Sequence, residues 1–403
     1  IPTKTLFQSA EVANTVRESA RYGIGSALTG VDFPAVMRRK DGVVKQLVNG
    51  VGYLLKKNKV DFLPGEAKLL SASEVKLGGK VYRTRNILIA TGSSNAAPPI
   101  PGLKGERVID STQLLALKTL PKSMVIIGGG VIGCEFASIL AAFGCKITVV
   151  EMLPHLLGGM DRSLADAVAR QFTDAGIQVE LGARVKSVCD QGMEQAVVFE
   201  KNGAEGTVSA EYVLVSAGRK ANSAGLGCEE LGIRMERGFI QVDSHMRTSV
   251  PGIYAAGDCC EGFEMQSGTY KHVGVWANAQ NQGRVAGINM AGGNEEFSSN
   301  LLLNLAHYLH VDFLSIGDIT TCCPGDEVYE YEDDYYYIRG VKKGKDIKCI
   351  NIFGPPESNG ILRSGFVKSL QHEQTFSDYG VAALQAAGYP DSFIKFLGGS
   401  DHD

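Results

Sequence analysis

Residues 124–127, Met-Val-Ile-Ile, form a short apolar run that leads at once into Gly128-Gly129-Gly130-Val131-Ile132-Gly133. Phe136, Ala137, Ile139, Leu140 and Phe143 then recur at helical spacing, Gly144 closes the helix, and a second apolar run, 146–150, ends at Glu151. A strand that becomes a helix within so few residues needs glycine at fixed places. Gly128 allows the tight turn, Gly130 lets backbone N–H groups approach a pyrophosphate, and Gly133 lets helix and strand pack closely. Glu151, about 20 residues further on, is placed to accept hydrogen bonds from an adenosine ribose diol. A 2′-phosphate there would face a carboxylate, and Met152-Leu153-Pro154-His155 carry no guanidinium, so the pattern favours NADH over NADPH.

Composition excludes several classes of partner. The 403 residues carry 44 acids against 40 Lys and Arg, a net charge of -4, without the basic footprint that nucleic acid or an anionic membrane attracts. The longest apolar runs, such as 124–127 and 139–143, are far too short to span a bilayer. Nine cysteines at irregular spacing read as reduced thiols in a cytoplasmic setting rather than as a secreted disulfide framework. Cys134, Cys145, Cys189, Cys228 and Cys349 read as buried small hydrophobes. The vicinal pairs Cys259-Cys260 and Cys322-Cys323 could bind a soft metal or close a strained disulfide, but no His/Cys set has zinc spacing and no metal site is expected.

Along the chain, strand and helix signals alternate without a repeat. An amphipathic helix begins the sequence (Leu6, Ala10, Val12, Val16, Ala20), a polar helix covers 46–57, and a strand is expected at 60–63 before Gly65-Glu66-Ala67. A hairpin around Gly78-Gly79 joins 74–77 to 81–84, and a buried strand at 86–90 ends in Ala90-Thr91-Gly92. The Pro-rich 97–101 reads as a crossing between domains, and 122–231 as βαβ, helix, strand and a further βαβ-like return. Strands follow within 239–258, then a helix at 275–290. The last hundred residues read as an antiparallel sheet (327–339, 347–353, and 366–370 as a further strand) closed by a helical tail at 381–397. Phe313, Leu314, Ile316, Ile350 and Ile352 are its expected core.

A second set of motifs needs a second nucleotide. Ile253-Tyr254-Ala255-Ala256-Gly257-Asp258 is an apolar strand ending where Gly257 permits close approach and Asp258 can accept from ribityl hydroxyls. Ala90-Thr91-Gly92 and Ser216-Ala217-Gly218-Arg219-Lys220-Ala221-Asn222 likewise end strands. With Ile1-Pro2-Thr3-Lys4 in front, the order of these stretches over about 1–300 resembles the pyridine nucleotide–disulfide oxidoreductase superfamily of flavoprotein reductases. Residues 1–235 look most like dihydrolipoamide dehydrogenase. The stretch from Trp276 to Gly292 is similar to the branch of NADH oxidase, rubredoxin reductase and nitrite reductase.

The resemblance implies an α/β fold of two dinucleotide-binding (Rossmann-like) domains and a C-terminal α+β interface domain. It divides the chain into a FAD domain (1–107 and 238–298), an NAD domain (108–237) and a dimerisation-type domain (299–403). FAD contacts would come from Gly65, Ala67, Ala90, Thr91, Gly92, Gly257, Asp258 and Ala277, and NAD contacts from Gly128, Gly130, Val131, Ile132, Gly133, Glu151, Ala217 and Gly218. Lys4 beside the flavin edge, paired with Glu135, would stabilise reduced, anionic flavin. The family's redox cysteine pair and first FAD glycine turn would lie before Ile1, so the sequence is expected to be N-terminally incomplete, to lack the first FAD-binding βαβ unit, and to bind FAD poorly as it stands. The acid–base His-Pro-Thr stretch is replaced by His307 and His310 in another context, read as surface or packing residues. The expected protein is a homodimeric FAD-dependent NADH oxidoreductase passing hydride through flavin to an acceptor that the sequence does not identify. The rival class is a fragment or degenerate subunit that binds NAD or a protein partner without flavin turnover.

Overall fold

Strands rich in Val and Ile whose two faces are both apolar can only sit inside a parallel sheet covered by helices. Ser123–Ile127 is such a strand, and it lies at the centre of a five-stranded parallel sheet in the order Val108–Asp110, Tyr212–Val215, Ser123–Ile127, Lys146–Glu151, Gln178–Leu181. The computed structural model describes residues 1–264, 266–297, 300–309, 311–333, 336–354, 359–370 and 378–398. They fall into two compact units. The first takes Ile1–Leu63, Asn95–Gly218 and Ala306–Asp312, and the second takes Pro64–Ser94, Arg219–Leu305 and Phe313–Asp403. This grouping differs from the four-part division implied by resemblance, because the N-terminal helices belong with the first parallel sheet.

The reason is apolar burial. Leu6 and Ala10 of the helix Pro2–Glu18 and Phe33 and Met37 of the helix Phe33–Lys57 form one cluster with Ile139, Ala142 and Phe143 of the glycine-turn helix and its C-terminus. The second helix begins well before the expected 46–57. Asp32 caps it by accepting from Ala35 N–H at 2.9 Å, and Pro34 fits its first turn, where a missing N–H costs nothing. The expected strand at 60–63 is irregular chain, with Val60, Phe62 and Leu63 exposed and no neighbouring strand to pair with. Residues 183–210 are also not a βαβ return: Ala183–Asp190, Gln195–Lys201 and Ala204–Ala210 form an antiparallel three-stranded sheet. Two-residue alternation of buried and exposed positions in these strands, with turns too short for a crossover helix, requires antiparallel pairing.

In the second unit, Ile253–Ala255 pairs in parallel with Ile87–Ile89, which sets the ends of the two strands side by side. The expected hairpin is present as Glu74–Leu77 and Lys80–Arg83, extended by Ala67–Ser71. Val311–Gly317, Asp346–Phe353, Tyr337–Lys343 and Glu327–Glu332 form antiparallel neighbours. Their buried face, with Leu314, Ile316, Ile350 and Ile352, is covered by Leu362, Phe366, Leu384 and Phe393. Phe366 thus lies in the helix Asn359–Leu370 rather than in a strand, and the helical tail is split into Asp378–Ala386 and Asp391–Phe396 by Pro390. Cys134, Cys145 and Cys228 are buried, and burial pushes the last two thiols up to about 12 and about 11, so they remain inert. Cys189 is exposed, contrary to the expectation, because it falls on the outward face of its strand. Among the described residues, no helix is long and apolar enough to cross a membrane. Leu6→Ala, which empties a site that is 1% exposed under the glycine-turn helix, should cost about 2–5 kcal/mol, read as a lower urea midpoint.

Candidate nucleotide site

Each glycine of the turn does a different job. Gly128 has φ +106°, which L side chains rarely adopt, and a Cβ on it would lie 2.5 Å from the carbonyl oxygen of Ser216. A Cβ on Gly133 would lie 2.1 Å from the carbonyl oxygen of Gly128, so helix and strand meet only because residue 133 has no side chain. Gly130 has open space around its missing Cβ. It is the first-turn boundary of the helix Val131–Ala142, which has no side-chain cap. The N–H groups of that first turn, Val131 and Ile132 included, are therefore left for another acceptor, and the helix dipole favours an anion there.

Glu151 ends the next strand, and its carboxylate accepts from Gly129 N–H at 2.6 Å and from Leu153 N–H at 2.7 Å. One oxygen is thus tied to the glycine turn and the other to the chain beyond, which fixes the carboxylate at the rim of a cavity of about 670 Å³. The cavity is bounded by Gly128, Gly130, Glu151, Ser216, Ala217 and Gly218. Ser216 Oγ is buried there without a hydrogen-bond partner, the mark of a polar atom awaiting a ligand. A dinucleotide fits these features: an open anion-binding turn, a preset carboxylate and an unsatisfied hydroxyl.

Two cations that linear reading missed reach this cavity. Arg184 and Lys186 lie on Ala183–Asp190, some thirty residues after Glu151, and line the wall beside Met152 and Leu153. Lys186 is already engaged by a carboxylate of the next strand. Lys186 Nζ is 2.8 Å from Glu200, and Lys186 with Arg184 holds that carboxyl below its usual range. The signal for them is the alternation of an antiparallel strand, which a βαβ return over 183–210 does not contain. The Pro-rich 97–101 also contributes: Pro98, Pro99 and Ile100 line the same cavity.

Lys4 and Glu135 are brought together as the sequence suggested. Lys4 Nζ lies 2.5 Å from Glu135 Oε1, the lysine half-exposed and the glutamate 13% exposed on the first turns of the glycine-turn helix. His307 stacks on Phe7 with ring centres 4.8 Å apart and pairs with Asp312, while His310 lies outside the described residues.

The second unit collects the remaining residues. Ala90, Thr91 and Gly92 follow Ile87–Ile89, and Gly257 and Asp258 follow the paired strand Ile253–Ala255. Asp258 accepts from Ser93 Oγ at 2.9 Å with the Arg219 guanidinium 4.0 Å away, and Gly257 N–H donates to Gln282 at 2.8 Å. Thr91 is stitched to Asn222 by reciprocal bonds of 2.7 and 3.0 Å. Ala277 is the second residue of the helix Trp276–Met290, whose N-terminus has no side-chain cap, while Gly65 and Ala67 open the first strand of the hairpin sheet. His272 Nε2 is buried without a partner, and burial pushes that imidazole below its usual range despite nearby Asp258. These groups suit the polyol side of a flavin dinucleotide. Among the described residues of this unit, however, no strand–glycine turn–helix supplies a cradle for its pyrophosphate. No group of three His, Cys, Asp or Glu that could hold a metal occurs among the described residues.

A glycine turn on a parallel sheet, a carboxylate fixed at the end of the next strand and a second pair of parallel strands ending in glycine define a two-dinucleotide reductase fold. The chain belongs to the pyridine nucleotide-disulphide oxidoreductase family, whose defining pattern matches residues 1–283. It is 44% identical over 282 residues to a dihydrolipoyl dehydrogenase of Acholeplasma laidlawii, covering 69% of this chain and 82% of that protein. It is 37% identical over 302 residues to that of Chlamydia muridarum, covering 73% and 62%. The chain spans about two-thirds or less of several curated relatives, 64% in one case from Bacillus subtilis. Among solved structures, the HOCl-induced flavoprotein disulfide reductase RclA from Escherichia coli shares the fold, with a TM-score of 0.76 at 24% identity over 96% of this chain and 88% of that one.

The glycines make a paired prediction about stability alone. Gly133→Ala should lower the urea midpoint by the equivalent of about 1–3 kcal/mol, because the added methyl meets backbone. Gly130→Ala should fall within about 1 kcal/mol of the parent, the range of a Gly-to-Ala change at a helix cap.

Proposed function

We propose that the cavity of the first unit binds NAD(H) in preference to NADP(H), and that the chain works as a FAD-dependent oxidoreductase of the dihydrolipoamide dehydrogenase type. The observation that carries this reading is Glu151, a carboxylate fixed by two backbone N–H groups at the rim of a cavity that also contains the unpartnered Ser216 hydroxyl. The first-turn N–H groups after Gly130 would hold the pyrophosphate, Glu151 would accept from the adenosine ribose diol, and Ala217 and Gly218 would let the chain pass close to the ligand. When bound, the nicotinamide supplies the hydride. Lys186 is already paired with Glu200, and Glu151 would set the preference. Lys4, its ammonium held by Glu135, would place positive charge beside the flavin edge. The electron acceptor and a homodimeric assembly belong to the same proposal.

Calorimetric titration of the 403-residue chain tests the coenzyme reading without depending on turnover. NADH should bind at least about tenfold more tightly than NADPH, which is ~1.4 kcal/mol. Glu151→Ala should weaken NADH by a change of about 1.5–3 kcal/mol, the worth of hydrogen bonds to a charged group, and narrow the ratio. Equal affinities, or a ratio unmoved by Glu151→Ala, would remove Glu151 from the coenzyme site.

One observation favours the rival reading, dinucleotide binding without flavin turnover: among the described residues, Ile253–Ala255 and Ile87–Ile89 pair in parallel with each other and with no third strand. The purified chain is therefore expected to carry flavin well below one equivalent by visible absorbance. Stoichiometric, retained FAD would show that the second unit suffices to bind it.

A further inference from the structure

Two thiols distant in sequence face each other in the second unit, outside both nucleotide regions. Cys322 follows the short turn Ile319–Thr321, and Cys349 lies in the strand Asp346–Phe353, with the two sulfurs 3.8 Å apart. Cys322 is half-buried and within reach of solvent, whereas Cys349 is 1% exposed. The backbone around them is fixed by one side chain. Gln266 donates to Thr321 Oγ1 at 3.1 Å and to the carbonyl of Lys348, and accepts from Asp318 N–H at 2.8 Å. It thereby clasps the residue before Cys322 and the residue before Cys349. Asp318 caps the turn through Thr320 N–H at 2.9 Å and pairs with Lys271.

Chemistry at the sulfurs is biased as well. Asn351, two residues along the strand and so on the same face, donates its amide to Cys349 Sγ at 3.5 Å. The Cys349 hydrogen bond holds the Cys322 thiol below its ordinary value, with Arg339 and Lys348 acting in the same direction and burial and Asp326 opposing them. The sequence neighbour Cys323 is exposed, and its sulfur is turned to the Thr321 carbonyl at 3.7 Å.

We propose that Cys322 and Cys349 form a dithiol–disulfide site that hydrogen peroxide oxidises and a dithiol reductant restores. The Cys322 thiolate attacks the peroxide, the O–O bond breaks, and one oxygen stays on sulfur as a sulfenic acid while the other leaves as water after taking a proton. Cys349 then attacks that sulfur, the S–O bond breaks, and a second water leaves with the proton of the Cys349 thiol. Two thiols have lost two electrons in total to one peroxide. Closing the gap to the ~2.05 Å of a disulfide needs side-chain rotation within a backbone already clasped by Gln266.

The test treats the 403-residue chain with hydrogen peroxide, blocks remaining thiols, and maps tryptic peptides without reduction. Residues 285–339 contain Cys322 and Cys323, and residues 349–363 contain only Cys349 among cysteines, so the proposed bond joins two separate peptides. The joined species should dominate, vanish on reduction with dithiothreitol, persist in Cys323→Ser and disappear in Cys322→Ser. Without oxidant, iodoacetamide should modify Cys322 several-fold faster than Cys349, and its rate should rise at a lower pH than that of an ordinary thiol. Cys349→Ala, with an unchanged unfolding midpoint, should leave Cys322 to overoxidise or to pair with Cys323. A loop closed within 285–339 in the parent chain, or both cysteines still alkylated as thiols after Cys323 has been oxidised, would overturn the site.

Discussion

The nucleotide site of the first unit rests on the close approach between the carbonyl of Gly128 and the missing side chain of Gly133. There the helix Val131–Ala142 settles onto the end of Ser123–Ile127 at a distance that no other residue would permit. The rest of the site depends on this contact. It points the first-turn N–H groups of the helix into open space before Gly130. It also places Gly129 N–H where Glu151 can reach it from the neighbouring strand. The same helix buries Ile139 and Ala142 against Leu6 and Phe33, so the N-terminal helices are anchored through it, and Lys4 with them. A substitution at Gly133 would act on packing, anion binding and the Lys4–Glu135 pair together.

Charge in the cavity is arranged in fixed pairs. Glu151 is held by backbone donors and needs no cation, while the two cations on Ala183–Asp190 face Glu200 instead. The Glu151 carboxylate therefore has its position already determined, and of the two cations Lys186 is held by Glu200. Lys4 and Glu135 differ: the ammonium is half-exposed, so the pair adds little to stability and its value lies in orientation.

How much of this was legible depended on the range of the cause. The strand, glycine turn, helix and Glu151 are set by neighbours within a few residues, and the sequence displays them directly. The start of the helix Phe33–Lys57 is equally local, written in Asp32 and Pro34, but the polar run Arg38–Gly42 that follows its apolar first turn interrupts the apolar period. Phe366 was misassigned because a short apolar run suits a buried strand or a buried helix equally, and only the sheet it covers decides. Arg184 and Lys186 could not be placed until 183–210 was known to fold back antiparallel. Cys349 is buried as expected, whereas the vicinal reading pairs Cys322 with Cys323. Cys322 instead reaches Cys349 through a register that no local pattern encodes.

The path of the chain has a consequence for how the molecule is made. The first unit draws its last piece, Ala306–Asp312, from a point almost a hundred residues after Gly218, and that piece carries Tyr308, fully buried against Phe172 with ring centres 6.5 Å apart. A chain emerging from the ribosome can form the parallel sheet early, but it must leave an aromatic-lined gap beside the helix Arg162–Asp174 until residue 308 arrives. At about 5–20 residues per second this interval is seconds long, ample time for a nascent chain to recruit a chaperone or to associate with a neighbour on the same message.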